Sequence, residues 1–353
     1  LGPFNFAKKE TPLSGVFFYT YHMSILLTGI TTSGTPHLGN YVGAIKPSIE
    51  ESKKFKDTFL FLADYHSLIK NQDPKLTFQS SLQIASAWIA CGIDLDKVNF
   101  YRQSNIPQIL ELNWILSSVT PKGILNRAHA YKAAVDSNDK NDPDKGINAG
   151  LFNYPILMAA DILLFDAKYV PVGSDQKQHI EMTRDIAGRF NNTYGKTFDL
   201  PEPIISEDIS LLPGLDGRKM SKSYNNFIEL FSSEKKLQKS LNQIITDSLL
   251  PGEPKETKDS ILFEYFSAFV SKHKIYDIEK SFKDGAGWGD LKKMLFNIIN
   301  EEIKPLREKF DELVSKPELV EEILIEGENK ARKKAEIKIT EIREKVGIKA
   351  LNG

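Results

Sequence analysis

The chain has 353 residues, a formal net charge of -1, 41% hydrophobic residues and 26% charged ones, so it is long enough for two domains and is neither disordered nor fibrous in composition. Its single cysteine, Cys91, excludes an internal disulfide; no Cys/His cluster suggests a structural metal, and no apolar run approaches the roughly 18 residues that cross a membrane. A near-neutral balance neither requires nor forbids a nucleic-acid partner, because a local basic face is enough to bind phosphate.

Residues 1–22 begin without Met and read as a tag remnant or N-terminal extension, since Lys8, Lys9 and Glu10 break the apolar stretch a secretory signal would need. A cytoplasmic protein is the expectation. Ser24–Leu27 is a short apolar run ending near Gly29, and Tyr41–Ser52 reads as a helix. Thr58–Ala63 is a dense apolar run with a polar tip, Asp64-Tyr65-His66. Leu82, Ala85 and Ile89 keep helical spacing up to Gly92, and Val98–Tyr101 is the next strand. Tyr169–Val172 is another strand, followed by a helix with Ile180, Thr183, Ala187 and Phe190 on one face. Strands alternating with helices predict a parallel, Rossmann-like sheet covered on both faces, with ligands outside the carboxyl ends of its strands. Beyond Ser223 the pattern changes. Ile303, Leu306, Phe310 and Leu313 space as one helix, and Ala331, Ala335, Ile339, Ile342 and Val346 as another, so residues 224–353 are expected to form an all-helical domain after an α/β domain at 23–223. Asp136–Ile147 and Pro251–Ser260 are polar, loop-like stretches.

Three segments carry chemistry. Residues 28–40, Thr-Gly-Ile-Thr-Thr-Ser-Gly-Thr-Pro-His-Leu-Gly-Asn, form a glycine-rich strand-to-helix turn whose exposed N–H groups and small hydroxyls suit a phosphate or ribose. It is neither a Walker loop nor a dinucleotide fingerprint. Residues 218–223, Arg-Lys-Met-Ser-Lys-Ser, follow Pro213-Gly214-Leu215-Asp216-Gly217 and place three cations and two hydroxyls on a loop that can neutralise a departing polyphosphate. In the third, Tyr154, Met158 and Asp161 share one face of a helix for which Pro155 reads as a first-turn residue. Asp161 is the sole charge between Tyr154 and Phe165, so it must meet a donor: a buried Arg or backbone N–H if structural, a ligand N–H if functional. An indole N–H or a tyrosine hydroxyl would each satisfy it. For His66 alone, a satisfied strand-end histidine is the commoner outcome.

Pro36-His37-Leu38-Gly39-Asn40 resembles the "HIGH" signature of class I aminoacyl-tRNA synthetases, and Lys219-Met220-Ser221-Lys222-Ser223 is similar to their "KMSKS" signature, in the same order and as widely separated. Tyr154 through Leu163, Val170 through His179, and Thr183 through Ala187 with Arg189-Phe190-Asn191 resemble the tryptophanyl-tRNA synthetase family from about residue 23 onward, closely as far as Ser223. The resemblance implies a Rossmann-like catalytic domain with a helical anticodon-binding domain. It also implies activation of L-tryptophan with ATP and Mg²⁺, transfer to tRNA(Trp), and a homodimer. By position it implies that Asp161 reads the indole N–H, and that Tyr154, Met158, Val170, Val172, His66, Gln176 and Leu27 surround the amino acid. Thr31, Thr32, Ser33, Gly39, Asn40, Gly173, Ser174 and Asp175 would contact ATP. Lys219, Met220, Ser221, Lys222 and Ser223 would hold its phosphates, with His37 beside the reaction. This chain departs from the family's better-known bacterial pattern at Thr31-Thr32, where a Gln-Pro pair is usual, and at Leu27, where an aromatic often stands. Lys132 is the nearest match to a further phosphate-contacting lysine. A tyrosyl-type synthetase and an inactive tryptophan- or RNA-binding paralogue are the alternatives, and intact Asp161, Lys219 and Lys222 speak against the latter.

Overall fold

In a computed structural model of the chain, residues 24–32, 34–173, 176–205 and 212–351 are described. The N-terminal segment 1–22 lies outside them, as do the candidate ligand contacts Ser33, Ser174 and Asp175.

Among the described residues, five strands make one parallel sheet: β1 (Ile25–Ile30), β2 (Asp57–Leu62), β3 (Val98–Arg102), β4 (Tyr169–Pro171) and β5 (Glu202–Ile204), in the spatial order β3-β2-β1-β4-β5. The chain builds outward from β1 to β3, then crosses back to lay β4 on the other side of β1. The order therefore reverses between β1 and β4, and a crevice opens at their carboxyl ends. Alternation along β2 shows how both faces are covered. Leu60 and Leu62 enter one core cluster, Phe59 and Phe61 the other.

Helix α1 starts at Leu38–Asn40, widens into a π-helical turn at Tyr41–Ile45 and closes as Lys46–Ser52. It is followed by α2 (Asp64–Ser67), α3 (Pro74–Ala90), α4 (Gln108–Val119), α5 (Ala149–Leu163) and α6 (Lys177–Tyr194). Asp73 caps α3 by accepting from the Lys75 and Leu76 N–H groups, with Pro74 in its first turn. Pro155 corrects an expectation. Helix α5 starts at Ala149 under an Asn148 cap, so Pro155 lies inside it rather than in its first turn.

After the lysine loop the described chain is helical: Glu234–Asn242, Ile261–Phe269, Lys272–Lys283, then α7 (Trp288–Ser315) and α8 (Pro317–Val346). Helix α8 returns to the sheet and packs along β3. Its Val320 and Leu324 join one core cluster, and Ala331, Ala335, Ile339 and Ile342 join the other. Between them it crosses the sheet edge at Gly327, where a Cβ would stand 1.9 Å from the Phe100 carbonyl oxygen; glycine alone permits that approach. Buried Glu328 beside it accepts from Arg102 Nε at 2.7 Å. Arg343 grips Glu111 of α4, and Lys338 donates to the Thr197 carbonyl at 2.8 Å and pairs with Asp166.

Candidate active site

At the β1/β4 crevice lies a cavity of about 450 Å³. Leu27, Val170 and Val172 line it from the sheet, Tyr154 and Met158 from α5, His66 from α2, and Gln176 from the start of α6. The structure thus brings together all eight residues expected around an amino acid, Asp161 included. Phe61 joins them from β2. Its ring lies so close to Gly29 that a Cβ there would be 2.4 Å from Cζ, so this glycine makes room for an aromatic wall.

Asp161 is fully buried, yet neither an arginine nor a backbone N–H meets it among the described residues. Its carboxylate takes two bonds from Gln103 Nε2, at 2.8 Å to Oδ1 and 3.0 Å to Oδ2, and one contact from His66 Nε2, at 2.9 Å to Oδ2. Burial raises its pKa, while His66 and then Gln103 pull it back. Tyr154 Oη lies 3.0 Å from His179 Nε2, and burial pushes its phenol up to about 12.

The glycine turn leads from this cavity to the lysine loop. Thr31 lines the cavity, whereas Thr32 is buried and turned inward. Its N–H donates to Ser67 Oγ at 2.9 Å, its hydroxyl lies 2.8 Å from the same oxygen, and Ser67 donates to the Ala63 carbonyl. The Thr32 side chain is therefore engaged by the protein. Next, His37 and Asn40 form a reciprocal cap: His37 N–H donates to Asn40 Oδ1 at 3.0 Å, and Asn40 N–H donates to His37 Nδ1 at 3.2 Å. Burial, then the nearby Lys222 charge, lowers the His37 pKa to about 4.

The lysine loop is docked on this turn. Gly39 N–H points at Met220 Sδ, 3.4 Å away, and Met220 is buried in the core rather than facing the crevice. Lys222 Nζ would be 2.9 Å from a Cβ at Gly34. Behind the loop, Leu38 N–H donates to the Ile228 carbonyl at 2.9 Å and Leu230 N–H to the Pro36 carbonyl at 3.0 Å, stitching 228–230 onto 36–38. Asn226 sets the loop's curve. It accepts from Ser221 N–H at 2.8 Å and donates to Asp216 at 2.7 Å and to the Lys219 carbonyl at 3.2 Å. Bonds from Asn226, then Arg218, hold the Asp216 carboxyl down at about 2. Lys219 is exposed, and Ser223 closes the loop in the turn Lys222–Tyr224. Exposed Gly173 caps the end of β4 with its carbonyl, which accepts from Gln176 N–H. Lys132 is exposed and outside the cavity lining. Gln103, Ser67, Phe61 and Asn226 carry no local motif and were not foreseen; only His179, inside a resembling stretch, had a signal.

The arrangement can hold a flat apolar side chain against one buried acceptor and present cations and backbone donors to an anion next to it. Comparisons with known proteins agree. The family model for tRNA synthetases class I (W and Y) matches residues 21–304. A tryptophan–tRNA ligase of Neisseria meningitidis is 52% identical over 330 residues, 92% of this chain and 98% of that one. Another from Xanthomonas axonopodis is 54% identical over 93% of this chain and 77% of its own. The crystal structure of tryptophanyl-tRNA synthetase from Campylobacter jejuni complexed with ADP and tryptophan superposes with a TM-score of 0.83 at 44% identity, covering 92% of this chain and 99% of that one.

Proposed function

The chain belongs to the class I tRNA synthetases of the tryptophan and tyrosine type, and we propose that its crevice seats tryptophan under Asp161 and the ATP phosphates beside the glycine turn and the lysine loop. Its activity is that of a tryptophan–tRNA ligase: tryptophan and ATP give tryptophanyl-adenylate and pyrophosphate, and the aminoacyl group then passes to the 3′ end of tRNA(Trp). One observation carries the assignment of the site. Among the described residues lining the cavity, Asp161 is the sole carboxylate, and it is fully buried between Gln103 and His66. An acceptor so placed suits a ligand with one N–H on an otherwise apolar body.

The substrate carboxylate is the nucleophile and attacks the α-phosphorus of ATP as the bond to pyrophosphate breaks. No protein nucleophile is needed, so rate comes from alignment and charge stabilisation. Tyr154, Met158, Val170, Val172 and Leu27 would clamp the indole, and Gln176 and His66 would border its polar end. Thr31, Gly39, Asn40 and Gly173 would contact the nucleotide, and Ser33, Ser174 and Asp175 would join them by the family resemblance alone. Lys219, Lys222, the N–H groups of Met220 and Ser223 and the Ser221 hydroxyl would take up charge on the leaving pyrophosphate. Neutral His37, held by Asn40, supports the turn beneath them. The lysine-loop donors are cationic or neutral, which suits phosphate oxygens, so Mg²⁺ would enter on the ATP and keep water in its other positions.

The helices after Ser223 would read the tRNA anticodon. Exposed Leu110 and Trp114, one turn apart on α4, form an apolar patch suited to a second copy in a homodimer. No helix among the described residues is long and apolar enough to cross a membrane, and a cytoplasmic location fits the reaction. Isotope exchange between pyrophosphate and ATP tests the reading: it should depend on tryptophan. Dependence on tyrosine would move the chain to the tyrosyl branch, and no exchange would make it a non-catalytic binder.

A further inference from the structure

Asp161 must remain an acceptor if it is to recognise an N–H, and a fully buried carboxyl on an apolar helix drifts toward the protonated form. Something has to hold it otherwise. His66 reaches it, but His66 also borders the cavity, and its ring nitrogens donate or accept according to tautomer. Gln103 is different in kind. It stands just past the end of β3, is fully buried, and does not titrate.

The two ends of its amide are not interchangeable. Oε1 accepts from the Tyr65 backbone N–H at 3.2 Å. Nε2 must then face Asp161, and it donates to both carboxylate oxygens. Flipping the amide would set an acceptor against the carboxylate and a donor against an N–H. The Tyr65 N–H, shared with Asp64 Oδ1 at 3.0 Å, and the Asp161 carboxylate both favour this orientation of Gln103, which turns a donor to Asp161. Acceptor arithmetic follows. A carboxylate offers about four lone-pair directions. Gln103 takes one on each oxygen and His66 one on Oδ2, which leaves one on Oδ1.

We propose that Gln103 is a positioning residue for amino-acid selection: it holds Asp161 as an ionised, fixed acceptor with one direction left for the indole N–H. This deepens the assignment of Asp161 above and rests on it. Gln103 is not among the residues that line the cavity, so it would act through Asp161. Its effect falls on the choice between ligands with and without an N–H at that point, a choice a merely structural residue would not alter.

The test uses the full-length enzyme and pyrophosphate exchange with two substrates: tryptophan, and its analogue with sulfur in place of the indole nitrogen. Gln103→Met keeps the length and removes the donor. It should lower kcat/KM for tryptophan about ten- to hundredfold, the worth of a charge-assisted hydrogen bond, and leave the analogue within about threefold. Gln103→Glu keeps an acceptor for Tyr65 N–H and sets a second carboxyl against Asp161; it should reduce the same preference, and it serves should the Met variant fold poorly. Equal losses on both substrates, or an unchanged preference, would overturn the proposal. Asp161→Asn, measured alongside, separates the two readings. If it abolishes the preference while both Gln103 variants keep it, only the role of Gln103 falls. If Asp161→Asn loses both substrates equally, the assignment of Asp161 falls and takes the proposal with it.

Discussion

The Lys222 ammonium lies against the backbone of Gly34: a Cβ on that glycine would be 2.9 Å from Nζ, and the glycine sits at φ +82. The two signature segments are therefore in contact across 188 residues of chain, with the glycine turn supplying room and the loop supplying charge. That charge matters most when pyrophosphate leaves. Lys222→Ala should slow adenylate formation by about a hundredfold or more in single-turnover measurements and leave the tryptophan dissociation constant within about twofold. Weaker tryptophan binding with unchanged activation would place Lys222 elsewhere.

The same neighbour governs His37. Burial and then Lys222 hold its pKa at about 4, below the ordinary 6.5, so the folded imidazole is neutral at pH 7 and its Nδ1 can accept from Asn40 N–H. Between pH 6.5 and about 4 the unfolded chain takes up a proton that the native chain refuses. This group's contribution to stability is therefore full above 6.5 and is lost as pH falls toward 4. NMR titration of the ring should show the low value, and Lys222→Met should raise it. A normal titration in the unsubstituted enzyme would contradict the docked loop.

Gly327→Ala should be costly although it adds one methyl group. The methyl would meet the Phe100 carbonyl, which cannot move without disturbing β3, so α8 must shift instead. We expect a loss of about 1–3 kcal/mol or more in denaturant unfolding. A loss under about 0.5 kcal/mol would mean that α8 sits further from the sheet. The same packing bears on which residues can test tRNA contact. Arg332, Lys338 and Arg343 tie α8 to the catalytic elements, so their substitution would mix stability with binding. Exposed Lys333 is the cleaner probe. Its replacement should weaken tRNA charging and spare pyrophosphate exchange.

What was legible in the sequence follows physical lines. Strands β1 to β4 announce themselves as apolar runs because a parallel sheet is buried on both faces. β5 does not: it has three residues, Glu202-Pro203-Ile204, at the sheet edge. The lysine loop and the Tyr154–Asp161 face could be read because their chemistry is local in sequence. Gln103 could not, since its partner is 58 residues away and its role comes from β3, α2 and α5 meeting at one carboxylate. Thr32 shows the opposite failure: its position pointed to the nucleotide, while Ser67 draws its hydroxyl inward. The path of α8 was hidden for a like reason. An amphipathic helix shows that it has a partner, and not that the partner is β3.

The most direct measurement is made on the bound indole itself. Tryptophan labelled with ¹⁵N at the indole nitrogen would be bound to the enzyme and its N–H proton followed by NMR. If Asp161 accepts that proton, the resonance should move downfield of free tryptophan and be protected from exchange with water, and Asp161→Asn should return it toward the free position. A resonance that stays at the free position in the unsubstituted enzyme, or one that moves equally in both proteins, would show that Asp161 does not read the indole.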